Sequence, residues 1–367
     1  MSVERLVDDV CTRARGVPGD VVTVVTDVVD RLAPLSPAGE RAAIIDGAVA
    51  RLDGLDVLDR LVSDPDVDEV MVNRGREVWI DRRGTLTRLG DLRPGTIDVV
   101  LERVLAPLSK RLDRTNPIID ARLPDGARLC AVVDPVALDG TTVTIRRHRH
   151  RRIPIDEFAS PDVVEVLRDL VHRRSNLLVT GATSSGKTTL LTALTDAVPL
   201  GERLVVIEDT SELVIDGRHH VVRLEARPVG VDGVEPVGLA QLVRTALRLR
   251  PDRLVIGEFR GPEVLAVVEA LNTGHDGSLS TCHANGAVDG MRRVETLVMQ
   301  AAPGWPLAAI RRQVSRSIDV VVHLVRDPAG RRRVREVVEV VEGDGEPAGR
   351  PLVESHHRVA DPSRDRR

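Results

Sequence analysis

Residues 181–188 read Gly-Ala-Thr-Ser-Ser-Gly-Lys-Thr, and their lysine is one of only two in the chain, the other being Lys110. Positive charge is otherwise carried by fifty arginines. A compact ammonium suits a task that the wide, planar guanidinium does badly, such as reaching between the β- and γ-phosphates of a nucleotide. The spacing G-x-x-x-x-G-K-[ST] is that of a phosphate-binding P-loop. With this composition it arises by accident on the order of once in a thousand such chains. Its surroundings suit it: residues 176–180 read as a short buried strand and residues 188–194 as the helix that follows. That order sets loop N–H groups at a helix N-terminus, which attracts an anion before any side chain is counted. Gly181, Ala182, Thr183, Ser184, Ser185, Gly186, Lys187, Thr188 and Thr189 are therefore expected around the phosphates. Lys187 would neutralise charge, and Thr188 would offer its hydroxyl to Mg²⁺.

A phosphate site next needs a carboxylate at the end of another strand, to hold Mg²⁺ or polarise water. Two segments supply one. Residues 253–258 (Arg-Leu-Val-Ile-Gly-Glu) form an apolar run that ends in Glu258, and residues 204–212 form one followed by Glu208, Asp209 and Glu212. Taken singly, such acids are often helix caps or surface charge. Beside a P-loop they read as functional. Residues 273–285 add His275 and His283 among Gly, Ser and Thr. A third metal ligand at the usual spacing is missing, so a histidine facing phosphate is the better reading than a metal pair. Capping of a helix by loop histidines is the plain alternative.

The elements that must carry these groups alternate, strand then helix, from residue 160 to about 325. That rhythm predicts a parallel sheet covered on both faces, with the nucleotide at the carboxyl ends of the strands. The expected fold class is α/β: a RecA-like P-loop domain, a smaller α/β domain before it, and helices before that. The expected divisions are a helical segment at 1–62, a small α/β domain at 63–147, a basic linker at 148–159, the ATPase-type domain at 160–345 and a disordered tail at 346–367. Residues 333–341 read as a strand of an edge hairpin. The formal net charge of −4 and the near absence of aromatics, with no Tyr, count against a nucleic-acid surface. Three scattered cysteines suit a reducing compartment. No apolar run approaches the roughly 20 residues that span a bilayer. The basic run 146–152 reads first as a solvated linker.

In combination these motifs resemble the secretion ATPases of type II secretion, type IV secretion and pilus assembly. The likeness covers roughly residues 60–340 and looks closest to the CpaF-like branch of tight-adherence (Flp) pili. Residues 68–73 look like the family's N-domain opening, and residues 117–128 and 144–147 resemble its inter-domain arginine segments. Residues 181–188 are similar to its Walker A, 208–212 to its aspartate box, 257–263 to its Walker B and 273–285 to its histidine box. The resemblance implies an ATP- and Mg²⁺-dependent enzyme in which Glu212 activates water, Glu258 works with the metal and His283 contacts the γ-phosphate. Arg128, with Arg146 or Arg147, would reach the nucleotide across a mobile cleft, so the start of the basic run would serve catalysis. Glu208, Asp209, Arg260 and His275 are expected beside the nucleotide. It further implies a homohexamer docked on an inner-membrane platform protein, cytoplasmic and peripheral to the membrane, that assembles or exports pilin-like subunits. The alternatives are a conjugative or effector type IV secretion ATPase and, further off, a DNA-translocating RecA-like ATPase.

Overall fold

The computed structural model describes residues 3–82, 84–147, 152–215, 220–227, 235–327, 330–341 and 348–363. The chain divides into two compact units, one holding the described residues up to 147 and the other those from 152 onward.

The first unit opens with three helices, α1 (Val3–Ala14), α2 (Val21–Leu32) and α3 (Ala38–Asp53). Apolar residues at helical spacing give each a buried stripe, and Val10, Val25, Val29, Ile44 and Ala48 meet in a small core. The Asp20 carboxylate accepts the Thr23 N–H and starts α2. After the short α4 (Asp59–Ser63) come β1 (Val67–Asn73), β2 (Glu77–Arg82), β3 (Thr85–Asp91), α5 (Thr96–Leu105), β4 (Ile118–Arg122), β5 (Arg128–Val132) and β6 (Thr142–Arg146). The strands form an antiparallel sheet in the order β3-β2-β1-β6-β5-β4. Val70, Val72, Ile80, Leu129 and Ile145 pack with Ile97 and Leu101 of α5.

The second unit runs α6 (Pro161–His172), β7 (Leu177–Gly181), α7 (Lys187–Thr195), β8 (Arg203–Glu208), β9 (His220–Glu225), α8 (Leu239–Ala246), β10 (Arg253–Ile256), α9 (Glu263–Leu271), β11 (Leu279–His283), α10 (Ala287–Ala301), α11 (Leu307–Ser317), β12 (Val320–Arg326), β13 (Arg332–Val341), β14 (Ala348–Glu354) and β15 (His357–Arg358). The sheet order is β15-β14-β13-β12-β7-β11-β10-β8-β9. From β12 to β9 all neighbours are parallel, and β13 to β15 extend the sheet antiparallel. Helices α6 and α7 bury Val163, Leu167, Leu190 and Leu194 on one face. On the other face α8 to α11 bury Val243, Val267, Met291 and Ile310. A sheet covered this way has no polar face, which explains the nearly unbroken apolar runs of its central strands.

One expectation needs correction. Described residues 348–363 of the expected disordered tail carry β14 and β15, and Leu352 and Val353 are fully buried. The expected strand at 333–341 is present as β13, which pairs antiparallel with β12 and β14 toward one edge of the sheet. Residues 148–151 of the basic run lie outside the described residues.

Candidate nucleotide site

β7 brings the chain into the loop and α7 takes it out. The whole of β7 is buried, which fixes the point where the loop begins. The turn places Ser184 at φ +60° and Gly186 at φ +100°. Gly186 is also the N-cap of α7, and no side chain caps that end. The first N–H groups of α7 are thus left for an anion, with the positive end of the helix dipole behind them.

Lys187 is only 6 % exposed. Its Nζ donates to the carbonyls of Gly181 (3.2 Å) and Ala182 (3.1 Å) and lies 3.1 Å from His283 Nδ1. Burial pulls its pKa below the ordinary lysine value, against an upward pull from Glu258. An ammonium has only donors, so His283 Nδ1 must accept and the ring proton sits on Nε2. Nε2 lies 2.9 Å from Glu258 Oε1. That contact is close enough for an ion pair but lacks hydrogen-bond alignment, so Oε1 is a buried acceptor without a hydrogen-bond partner. The other oxygen, Oε2, accepts from Arg260 Nη2 at 2.8 Å. Burial and the Lys187 charge lower the His283 pKa, which keeps the ring neutral near pH 7. Four side chains from the P-loop, the end of β11 and the segment after β10 therefore form one polar chain: Lys187, His283, Glu258, Arg260. Strand register makes this possible, since His283 pairs with Gly181 and Ile256 pairs with both Ser280 and Ile207.

The acids after β8 divide their roles. Glu208 is buried, its pKa raised by that burial, and its Oε1 accepts the N–H groups of Glu212 (2.8 Å) and Leu213 (2.9 Å). It shapes the turn that presents Glu212. Asp209 and Glu212 both lie near enough to Arg260 to raise its pKa, and Glu212 does the same to Lys187.

His275 is not brought to this place. It precedes β11, whereas His283 ends it, and five strand residues at about 3.3 Å each separate the two ends. Its Nδ1 lies 3.2 Å from the Ala270 carbonyl, at the end of α9. The helix-capping alternative holds for His275, so it is removed from the expected nucleotide set.

In the first unit, register places Arg122, Arg128 and Arg146 side by side across β4, β5 and β6, with Glu69 of β1 next in the row. Side chains directly opposite one another share a face. Arg147 is the odd one out. Its Nη1 donates to the Ser63 carbonyl at 2.9 Å and its N–H to Asp68 O at 3.0 Å.

Sequence reasoning missed Arg332 of β13, which donates from Nη1 to Thr189 Oγ1 at 3.2 Å. Its place in a run of three arginines, 331–333, carried no signal to single it out. A cavity of about 580 Å³ adjoins the start of the loop, lined by Gly181, Ala182, Thr183, His283, Asn285 and Arg293 among others. Mg²⁺ at a P-loop takes phosphate oxygens, waters and one or two side chains. The open lone pair on Glu258 Oε1 and the loop's Thr188 hydroxyl fit that need.

Comparison with known proteins agrees with the fold. The family model described as "Type II/IV secretion system protein" matches residues 51–356. The chain is 37 % identical over 309 residues to the putative conjugal transfer protein Rv3659c of Mycobacterium tuberculosis, covering 80 % of this chain and 86 % of that one. It is 33 % identical over 329 residues to the type IV secretion system protein PtlH of Bordetella pertussis, covering 80 % and 95 %. Among solved structures, the pilus retraction motor PilT with bound ADP is 22 % identical over 74 % of this chain and 79 % of that chain, with a TM-score of 0.57, a likeness of fold. With its family model spanning most of its length, this chain belongs to the type II/IV secretion system protein family.

Proposed function

We propose that the protein is an ATP-hydrolysing motor of a type IV, conjugation-type secretion machine. The observation that carries the ATPase reading is the polar chain at the P-loop, in which a buried lysine is separated from a half-buried acid by one neutral imidazole. Two relatives with conjugal-transfer and type IV secretion names support the choice of machine. The tight-adherence pilus reading rests on sequence motifs and has less support.

On this reading Lys187 gives up the Gly181 and Ala182 carbonyls for the β- and γ-phosphate oxygens of ATP. His283, freed from that ammonium, faces the terminal phosphate. Glu212 orients the attacking water, and Arg260 holds Glu258 in place. Thr188 and Glu258 would help hold Mg²⁺, which when bound would supply neutralising charge to the phosphates. Arg128 and Arg146 would add positive charge at the transferred phosphoryl group when the first unit closes over the second, which couples turnover to movement. A homohexamer peripheral to the membrane, docked on an inner-membrane platform, completes the proposal. Among the described residues no helix is long and apolar enough to cross a membrane.

The test has two stages. Purified protein with ATP and Mg²⁺ should release phosphate, and Lys187→Ala should abolish that release; an inert wild type rejects the motor. Pull-down from membranes with Glu258→Gln and ATP should then recover type IV channel components. Recovery of a pilin platform instead would favour the tight-adherence reading.

A further inference from the structure

The sheet order gives the P-loop two different flanks. β7 lies between β11 on one side and β12 on the other, with β10 beyond β11 and β13 beyond β12. Everything assigned so far comes from the first flank: His283 ends β11 and Glu258 follows β10. The second flank reaches the loop as well, through Arg332 at the start of β13. Its Nη1 is 3.2 Å from Thr189 Oγ1, in the first turn of α7. Its stem crosses Gly186 so closely that a Cβ there would sit 2.4 Å from Arg332 Cδ and 2.8 Å from Nε. Gly186 is therefore needed twice, for its φ of +100° and for the arginine laid across it.

A phosphate chain in this cradle has a direction. Lys187 takes the β- and γ-phosphates, and the catalytic acid and histidine stand on the β10–β11 flank, so the terminal phosphate lies on that side. The chain must then run across the N-terminus of α7 toward the β12–β13 flank, where the α-phosphate and nucleoside follow. There Arg332 is the cation that touches the loop.

Resting on the motor reading above, we propose that Arg332 is a nucleotide-binding residue whose guanidinium, held over Gly186 and Thr189, takes the α-phosphate of bound ATP or ADP. A guanidinium is suited to this because its planar fork can bond a phosphate oxygen while keeping the Thr189 hydroxyl. The ligand class is a nucleoside di- or triphosphate, held from both flanks of the loop.

The experiment is equilibrium binding of ATP, ADP and inorganic pyrophosphate, each with Mg²⁺, to the full-length wild type, Arg332→Ala and Arg332→Gln. Pyrophosphate fills the Lys187 positions and lacks the atoms that reach Arg332. Both variants should weaken ATP and ADP about tenfold or more, the scale of a lost charge-assisted hydrogen bond, and leave pyrophosphate affinity within about twofold. The Gln variant keeps a donor for Thr189 without the charge, so it separates phosphate contact from bracing of the loop. Unchanged ATP and ADP affinity in both variants overturns the proposal. An equal loss for pyrophosphate overturns it too, since Arg332 would then shape the loop and not touch the ligand. If the wild type binds no ATP, the motor reading itself fails; if it binds and hydrolyses ATP while the variants match it, only this assignment falls.

Discussion

Lys187 and Glu258 are opposite charges kept apart by the ring of His283, 3.1 Å from one and 2.9 Å from the other. Direct pairing would neutralise both and leave the loop without a cation for phosphate. The imidazole lets each keep its charge while burial holds the ring neutral. This arrangement makes Lys187 irreplaceable in a chain that uses arginine almost everywhere else. Lys187→Arg should fail nearly as completely as Lys187→Ala, because a branched guanidinium cannot occupy the narrow space before the Gly181 and Ala182 carbonyls. We expect phosphate release to drop by about 10²-fold or more in both, and a steady-state assay with activity above a tenth of wild type in the Arg variant would contradict the spacing argument. Glu258→Gln keeps the shape of the site and removes the charge, so ATP should bind and turnover should stall.

At the scale of elements, the seam between β7 and β12 fixes the loop. His323 of β12 pairs in register with Thr180, and its Nδ1 lies 3.0 Å from Thr180 Oγ1, one residue before the P-loop. Burial lowers the His323 pKa, Glu336 and Asp289 pull it up, and Arg335 pushes it down. A base whose folded pKa is depressed binds fewer protons folded than unfolded, so stability rises with pH across that window. The contribution of neutral His323 is complete above its ordinary value of 6.5 and is lost as pH falls below it. Thermal midpoints measured between about pH 7.5 and 5.5 should therefore fall less in His323→Gln than in the wild type. Equal slopes would remove His323 from the acid sensitivity. His283 shares the sign of the effect and accounts for part of what remains.

β14 makes a second prediction at this scale. Leu352 and Val353 are fully buried, and Arg350 and Ser363 bond the buried Glu339. Deleting residues 348–367 should cost about 3–6 kcal/mol, the transfer free energy of two buried aliphatic side chains. Denaturant unfolding of the truncated chain reads it directly, and an unshifted midpoint would show the sheet complete without β14. Nothing in the sequence flagged this segment, because its Pro and Arg content reads as solvated and its few apolar residues show no strand period. The central strands were legible for the opposite reason, being apolar throughout. β3 escaped notice since nearly all of it is exposed, leaving no buried face to set a period. β9, at the sheet edge, alternates too weakly to stand out. The P-loop and both acidic strand ends were readable from spacing alone. Spacing could not show that His275 stands at the far end of its strand from His283, nor that Arg332 crosses Gly186, since both depend on sheet order.

For the whole molecule, the proposed motor needs the first unit to contribute charge to a site built by the second. The register within the first sheet chooses which arginines can do so. Arg122, Arg128 and Arg146 lie in one row across β4, β5 and β6, with Glu69 of β1 beside Arg146, so three guanidiniums are presented from one face of the sheet. On the motor reading, a phosphate arriving at that row would meet more than one guanidinium. Arg147 stands outside that row, with Nη1 donating to the Ser63 carbonyl, so on the motor reading it is the weaker candidate. Arg128→Ala and Arg146→Ala should therefore lower kcat by about 10²-fold or more, toward the range of a lost arginine finger. ADP affinity should change much less, because the transferred phosphoryl group is absent from ADP. Arg147→Ala should act more on stability, by about 1 kcal/mol for one hydrogen bond and seen as a lower thermal midpoint, than on kcat. Steady-state kinetics with parallel ADP titration separates these outcomes. A larger kcat loss in Arg147→Ala than in Arg146→Ala would mean that the strand register does not select the residues that meet the nucleotide, and the coupling of closure to hydrolysis would have to run through another set of charges.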